Sequence, residues 1–206
     1  MKRILLLVLL FGPFWAKSSD SLFCIKVHFI YGSKPKKEFK NDEKKWFGGI
    51  HGGHVGIEVD SNHVFDFIRA GKTHIFSRRK KLSGKYVYRS KESFYARYKA
   101  SGDSLEVAVV SVFITKDQRQ KLDSLIQNYT AQSPDDYAFL GVRCAAAAYS
   151  ILAELNVFPK HRKSTTVLKI FYPKKLRKRV FKLAQSNKWQ IEKVKGTNKR
   201  WWESDN

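Results

Sequence analysis

The chain has 206 residues, with 40 Lys and Arg against 18 Asp and Glu, for a formal charge of +22. That length suits one domain with a sizeable hydrophobic core, and so strong a positive balance excludes a protein indifferent to anions. Its two cysteines are too few for a disulfide framework, and their separation in sequence does not say whether Cys24 and Cys144 meet.

The N-terminus carries Lys2 and Arg3, then the apolar run Ile4 to Phe11, then Ala16-Lys17-Ser18. This is the order of a secretory signal peptide, so residues 1–18 are expected to be a leader and residues 19–206 a single exported domain, periplasmic or secreted. The apolar run is too short to span a bilayer comfortably, and no other segment approaches the roughly 20 apolar residues a membrane helix needs. The mature chain is therefore expected to have no transmembrane segment. Leu22-Phe23 ahead of Cys24 lacks the small residue that lipoprotein processing prefers. Loss of Lys2, Arg3 and Lys17 with the leader would take +22 to +19. Outside the cell the available anions are cell-wall polymers, peptidoglycan carboxylates and lipid head groups, and nucleic acid is disfavoured because it is scarce there.

Leu22 to Tyr31 is rich in β-branched and aromatic residues and reads as a strand, ended by Gly32-Ser33-Lys34-Pro35. Lys34 to Lys45 is almost all charged and reads as an exposed loop. His54 to Val59, Val64 to Ile68, Thr73 to Ser77 and Tyr86 to Arg89 are short strand candidates separated by turn residues, the spacing of an antiparallel meander. Leu105 to Ile114 is a longer apolar strand. Thr115 and Gln118 have capping-box spacing for a helix that buries Leu122, Leu125 and Ile126. Ser133-Pro134-Asp135-Asp136 reads as the start of a further helix, which Gly141 interrupts ahead of the cysteine. Cys144, Ala148, Ile151, Leu152 and Leu155 then recur at helical spacing. Pro173 opens a last helix, with Leu176, Val180 and Leu183 on one side and a cationic remainder that includes Arg177. Its apolar stripe with cationic flanks could lie against an anionic surface. Trp189 to Val194 is a final strand before Trp201-Trp202.

Three residues invite a chemical reading. Cys144 sits where a small buried hydrophobe would also serve, but in the first turn of a helix it would feel the positive helix end, which favours a thiolate. Gly52-Gly53 allow a tight turn into the strand headed by His54, whose imidazole could take a thiol's proton or be a plain polar edge residue. Asp66, on the next strand, could orient that imidazole, or face solvent. His63 and Glu58 compete for this role from less favourable positions. His51 and His54 lack a third ligand at standard spacing, so no metal is expected, and the chemistry calls for no cofactor.

The run from His54 to Asp66, followed much later by Arg143-Cys144 on a helix, resembles the circularly permuted branch of the NlpC-type papain-like cysteine hydrolases, which includes lecithin retinol acyltransferase-like enzymes. In that branch the histidine precedes the cysteine, and a second polar residue follows the histidine by twelve positions. The resemblance covers roughly Leu22 to Leu155. It implies an α+β fold, an antiparallel sheet packed against helices in the permuted papain-like arrangement, and a triad of Cys144, His54 and Asp66. The branch commonly has Asn before the cysteine, where this chain has Arg143, and His as third member, where this chain has Asp66. Arg143 could alter substrate access or favour the thiolate, and Tyr137 could donate a further hydrogen bond. The expected activity is an exported cysteine hydrolase acting on an amide or ester, foremost in cell-wall peptides. The alternatives are a lipid-directed acyltransferase or thioesterase, and a non-catalytic module that binds anionic polymer.

Overall fold

A computed structural model describes residues 22–42, 52–78, 83–98 and 105–205. The expected leader, residues 1–18, lies outside the described residues, as does His51. In chain order the elements are β1 (Phe23–Ile30), β2 (Ser33–Pro35), a single 3-10 turn (Lys37–Phe39), β3 (His54–Glu58), β4 (His63–Arg69), β5 (Gly84–Ser90) and α1 (Lys91–Ala96). Then come β6 (Val107–Ile114), α2 (Lys116–Ala131), α3 (Cys144–Glu154), α4 (Lys163–Lys169), α5 (Pro173–Asn187), β7 (Ile191–Val194) and β8 (Arg200–Trp202).

The fold is mixed α+β. Six strands form one antiparallel sheet in the order β5-β4-β3-β1-β6-β7, and β2 pairs with β8 in a separate two-stranded ribbon. β3, β4 and β5 are neighbours joined in sequence, the meander that their spacing predicts. Strand alternation separates two faces. Ile25, Val27, Phe29, Val55, Ile57, Phe65 and Phe67 enter the main core together with Ala145 to Ala148 of α3. Each such fully buried Ile, Val or Phe contributes on the order of 2 kcal/mol relative to an exposed one. The alanines have little bulk, and α3 packs closely on β3 and β4. On the opposite face Val64 and Phe94 meet over Gly56, where an added Cβ would lie 2.5 Å from Val64 and 2.7 Å from Phe94.

Thr115 closes the expected capping box on α2: its hydroxyl accepts from the Gln118 amide, and its own amide donates to the Gln118 side chain at 2.8 Å. α2 buries Leu122 fully, with Leu125 and Ile126 at the margin of the core. Pro173 occupies the first turn of α5, and Leu176, Val180 and Ala184 are buried against the body.

Four expectations are corrected. The charged stretch after Tyr31 is not wholly loop, because β2 pairs with the Trp201-Trp202 tail. Thr73 to Ser77 forms no strand of its own; His74 makes a single bridge to Ala138. The segment from Ser133 forms no helix, because Asp135 turns inward to accept from the Tyr86 hydroxyl of β5 and Asp136 to accept from the Ser83 amide. Arg177 is not part of the solvated flank of α5: it is fully buried, 2.9 Å from Glu203 and 2.8 Å from Asp205, with its guanidinium over the Tyr31 ring. The C-terminal tail brings those carboxylates back, and only that return makes burial of the charge tolerable. Because the apolar stripe of α5 is spent on the core, this helix has no free amphipathic face. Among the described residues no helix is long and apolar enough to cross a membrane.

Candidate active site

Gly53 has φ +80°, and a Cβ there would lie 2.4 Å from the Ile30 carbonyl, so only glycine fits this turn into β3. The turn delivers His54 as the first residue of the strand. Val55 and Ile57 point into the main core, while His54 turns to the side covered by α1, where its ring meets Phe94 and stacks on Tyr98 at 4.9 Å. β3 and β4 pair with Gly56 opposite Asp66, which sets the Asp66 carboxylate diagonally across from the imidazole. His54 Nε2 lies 2.6 Å from Asp66 Oδ2, and both side chains are almost entirely buried.

Asp66 is itself held. Arg89 on β5 donates from Nε to Oδ1 at 3.1 Å and from Nη2 to Oδ2 at 2.6 Å. A bidentate guanidinium fixes the carboxylate plane, and a fixed carboxylate fixes the ring it touches. β4 and β5 pair with Asp66 opposite Val87 and Val64 opposite Arg89, so Arg89 reaches Asp66 diagonally on the same face. Sequence reasoning missed Arg89 and Tyr98. The signal for Arg89 was the register of the second hairpin; Tyr98 follows a helix that had not been anticipated.

Cys144 is the first residue of α3 and is buried. Arg143 before it is extended and provides no side-chain cap, and its carbonyl accepts the first helical bond, from the Ala147 amide at 2.9 Å. The first amides of a helix have no partner within it, so this end offers N–H donors and a positive potential to a nearby anion. The Cys144 thiol lies beside the His54 ring, close enough for its charge to act on the imidazole. Asp66 takes Nε2, so Nδ1 is the ring nitrogen not engaged by the carboxylate. Burial works against a charged imidazole here, but the charge of the Cys144 thiolate and the hydrogen bond to Asp66 outweigh it, raising the His54 pKa to about 9. The three residues singled out by type and order therefore meet in space.

Tyr137 lies near the same thiol. Its ring stacks on Phe67, and burial with the Cys144 charge pushes its phenol well above the ordinary range, so it is a neutral O–H. Arg143 packs on aromatic rings: its guanidinium lies 3.6 Å from the Phe171 ring centroid, close also to Tyr172, and donates to the Phe171 carbonyl. It ties the head of α3 to the segment before α5. The loop leading to Tyr137 is fixed by Asp136, which accepts from the Ser83 amide at 2.7 Å, the Arg78 amide at 2.8 Å and His74 Nδ1 at 2.7 Å.

The rival residues go elsewhere. His63 pairs with Asp60 at 3.1 Å on the surface. Glu58 lies 2.7 Å from His28 Nε2 and 3.3 Å from Lys91, a separate buried pair joined by Tyr95 through the other nitrogen of His28. Cys24 is exposed on β1, and both thiols are free. No protein-family model matches the chain, and no curated protein and no solved structure matches it.

Proposed function

We propose that this protein is a cysteine hydrolase that cleaves an amide or ester through an acyl-enzyme, on a permuted papain-like arrangement of sheet and helix. The observation that carries this reading is His54 lying between the Asp66 carboxylate and the Cys144 thiol at the head of α3. A thiolate next to an imidazolium is the reactive form of such a pair. Cys144 attacks the carbonyl carbon, and the oxyanion is received by the Cys144 amide and the unpartnered amides that follow. His54 gives its proton to the departing amine or alcohol as the tetrahedral centre collapses, leaving a thioester. It then takes a proton from water, and hydroxide addition releases the acid and restores the thiol. Asp66 holds the ring tautomer throughout, and Arg89 holds Asp66. Tyr137 is a neutral donor beside the reacting sulfur. Because the chemistry is complete with these side chains, it calls for no metal or cofactor.

For an exported protein of this charge, cell-wall peptides with free carboxylates are the first substrates to test. Lipid-directed acyl transfer is the second, favoured by several large apolar side chains exposed on loops close to the head of α3. The deciding experiment is incubation of purified protein with peptidoglycan fragments and with phospholipid, followed by mass spectrometry of products and of the protein. A Cys144-linked acyl adduct and turnover that disappears in Cys144→Ala support the proposal. Turnover that survives in Cys144→Ala overturns it.

A further inference from the structure

Five large apolar side chains stand exposed near one another on three segments. Ile75 and Phe76 are 66% and 67% exposed, Leu168 is 78% exposed, and Phe139 and Leu140 are about half exposed. They belong together: the Phe139 amide donates to the His74 carbonyl and the Leu140 amide to the Ile75 carbonyl, each at 2.8 Å, which ties the first two segments side by side. Leu140 and Leu168 both line a surface groove of about 710 Å³, whose wall also includes Val142, Val167 and Arg78. An added Cβ at Gly141 would lie 2.3 Å from the Ser77 hydroxyl, so the two loops are in direct contact. Monomeric proteins rarely leave a contiguous apolar patch of this kind on show.

The surroundings say what covers it. Lys72, Arg78, Arg162 and Lys169 are exposed on the same three segments, so the apolar tips are set among cations. A second copy of the chain would bring the same positive field and be repelled, whereas an anionic plane would be attracted. Apolar tips within a cationic ring are also how a protein rests in a lipid interface, with the tips below the head groups and the ammonium and guanidinium groups among the phosphates. We propose that the loops carrying Ile75-Phe76 and Phe139-Leu140, with Leu168 of α4, form a docking surface for an anionic lipid bilayer. Leu140 precedes Cys144 by four residues, and Val142 in the groove wall precedes it by two, so docking brings the head of α3 to the membrane plane. The surface itself needs no catalysis.

The test is co-sedimentation of the full chain with phosphatidylcholine vesicles made with and without phosphatidylglycerol, at low and high salt. Binding is expected only when phosphatidylglycerol is present, and it is expected to weaken roughly tenfold for each apolar tip removed in Phe76→Ser and Leu168→Ser. Val194→Ser, at an exposed site far along the sheet, and Cys144→Ala should sediment like the parent, the latter separating docking from chemistry. Circular dichroism of each variant checks that it folds. Undiminished binding in the folded double variant Phe76→Ser/Leu168→Ser overturns the proposal, since attraction by lysines alone would then suffice. So does equal binding to vesicles without phosphatidylglycerol, or a concentration-dependent dimer in light scattering that the double variant abolishes.

Discussion

Arg89 grips both oxygens of Asp66, at 3.1 Å and 2.6 Å, from β5, a strand that pairs with β4 and not with the strand of His54. The cluster therefore extends one strand beyond Cys144, His54 and Asp66. Asp66 is fully buried, and a carboxylate left there without its cation is strongly disfavoured. Arg89→Met is predicted to lower unfolding free energy by about 3 kcal/mol. Urea unfolding measures it, and Arg89→Lys should recover only part because a single ammonium cannot bridge both oxygens. Full stability in Arg89→Met would remove Arg89 from this role.

Asp66→Asn keeps shape but removes the charge that orients the ring. Hydrolysis is predicted to fall by about 10²–10⁴-fold with little change in KM, as expected for a misoriented tautomer. The amide cannot also satisfy Arg89, so a modest stability loss should accompany it. A variant with unaltered kcat would show that Asp66 only packs.

The pH dependence follows from His54. Its folded pKa of about 9 exceeds the ordinary 6.5, so the protonated ring contributes stability that is complete below 6.5 and is lost as pH rises through about 9. Turnover should decline over the same alkaline window, because the imidazolium that protonates the leaving group disappears. In Cys144→Ala the thiolate charge is gone, and the His54 pKa is predicted to drop, which NMR titration of the ring would record. No movement of that titration would mean that the thiol and ring are not paired.

Gly53→Ala forces a side chain onto φ +80° and against the Ile30 carbonyl. The predicted loss is roughly 2 kcal/mol, from backbone strain and steric displacement combined. Since Gly53 aims His54, the rate of Cys144 alkylation by iodoacetamide at neutral pH should fall as well. If stability falls but alkylation does not, Gly53 serves only the fold.

Asp136 accepts four hydrogen bonds from three neighbouring residues, and its carboxyl is held down at about 2, with burial opposing and His74 and the Ser83 and Arg78 amides prevailing. A depressed carboxylate gives stability that is present above its ordinary 3.8 and lost as pH falls through about 2. Asp136→Asn is predicted to be less stable at neutral pH and to flatten the acid limb of the unfolding profile between those values. An acid limb identical to the parent's would place the loss elsewhere.

Residue type and spacing alone determined the strand that begins at His54, the meander after it, the Thr115 capping box, the helix at Pro173 and the candidacy of Cys144, His54 and Asp66. These are decided within a few residues, by alternation, helical period and the needs of chain ends. Only the tertiary structure decided that Cys144 meets His54, that Arg89 holds Asp66, that Glu58 belongs to His28, and that Arg177 is buried beneath the returning tail. Each of those depends on which strands are neighbours, in what register, and on where a distant segment comes back. The same dependence explains the failed helix at Ser133: its acids are good first-turn residues locally, but Ser83 and His74 donate to Asp136 and the Tyr86 hydroxyl of β5 to Asp135, partners that only the tertiary fold brings there.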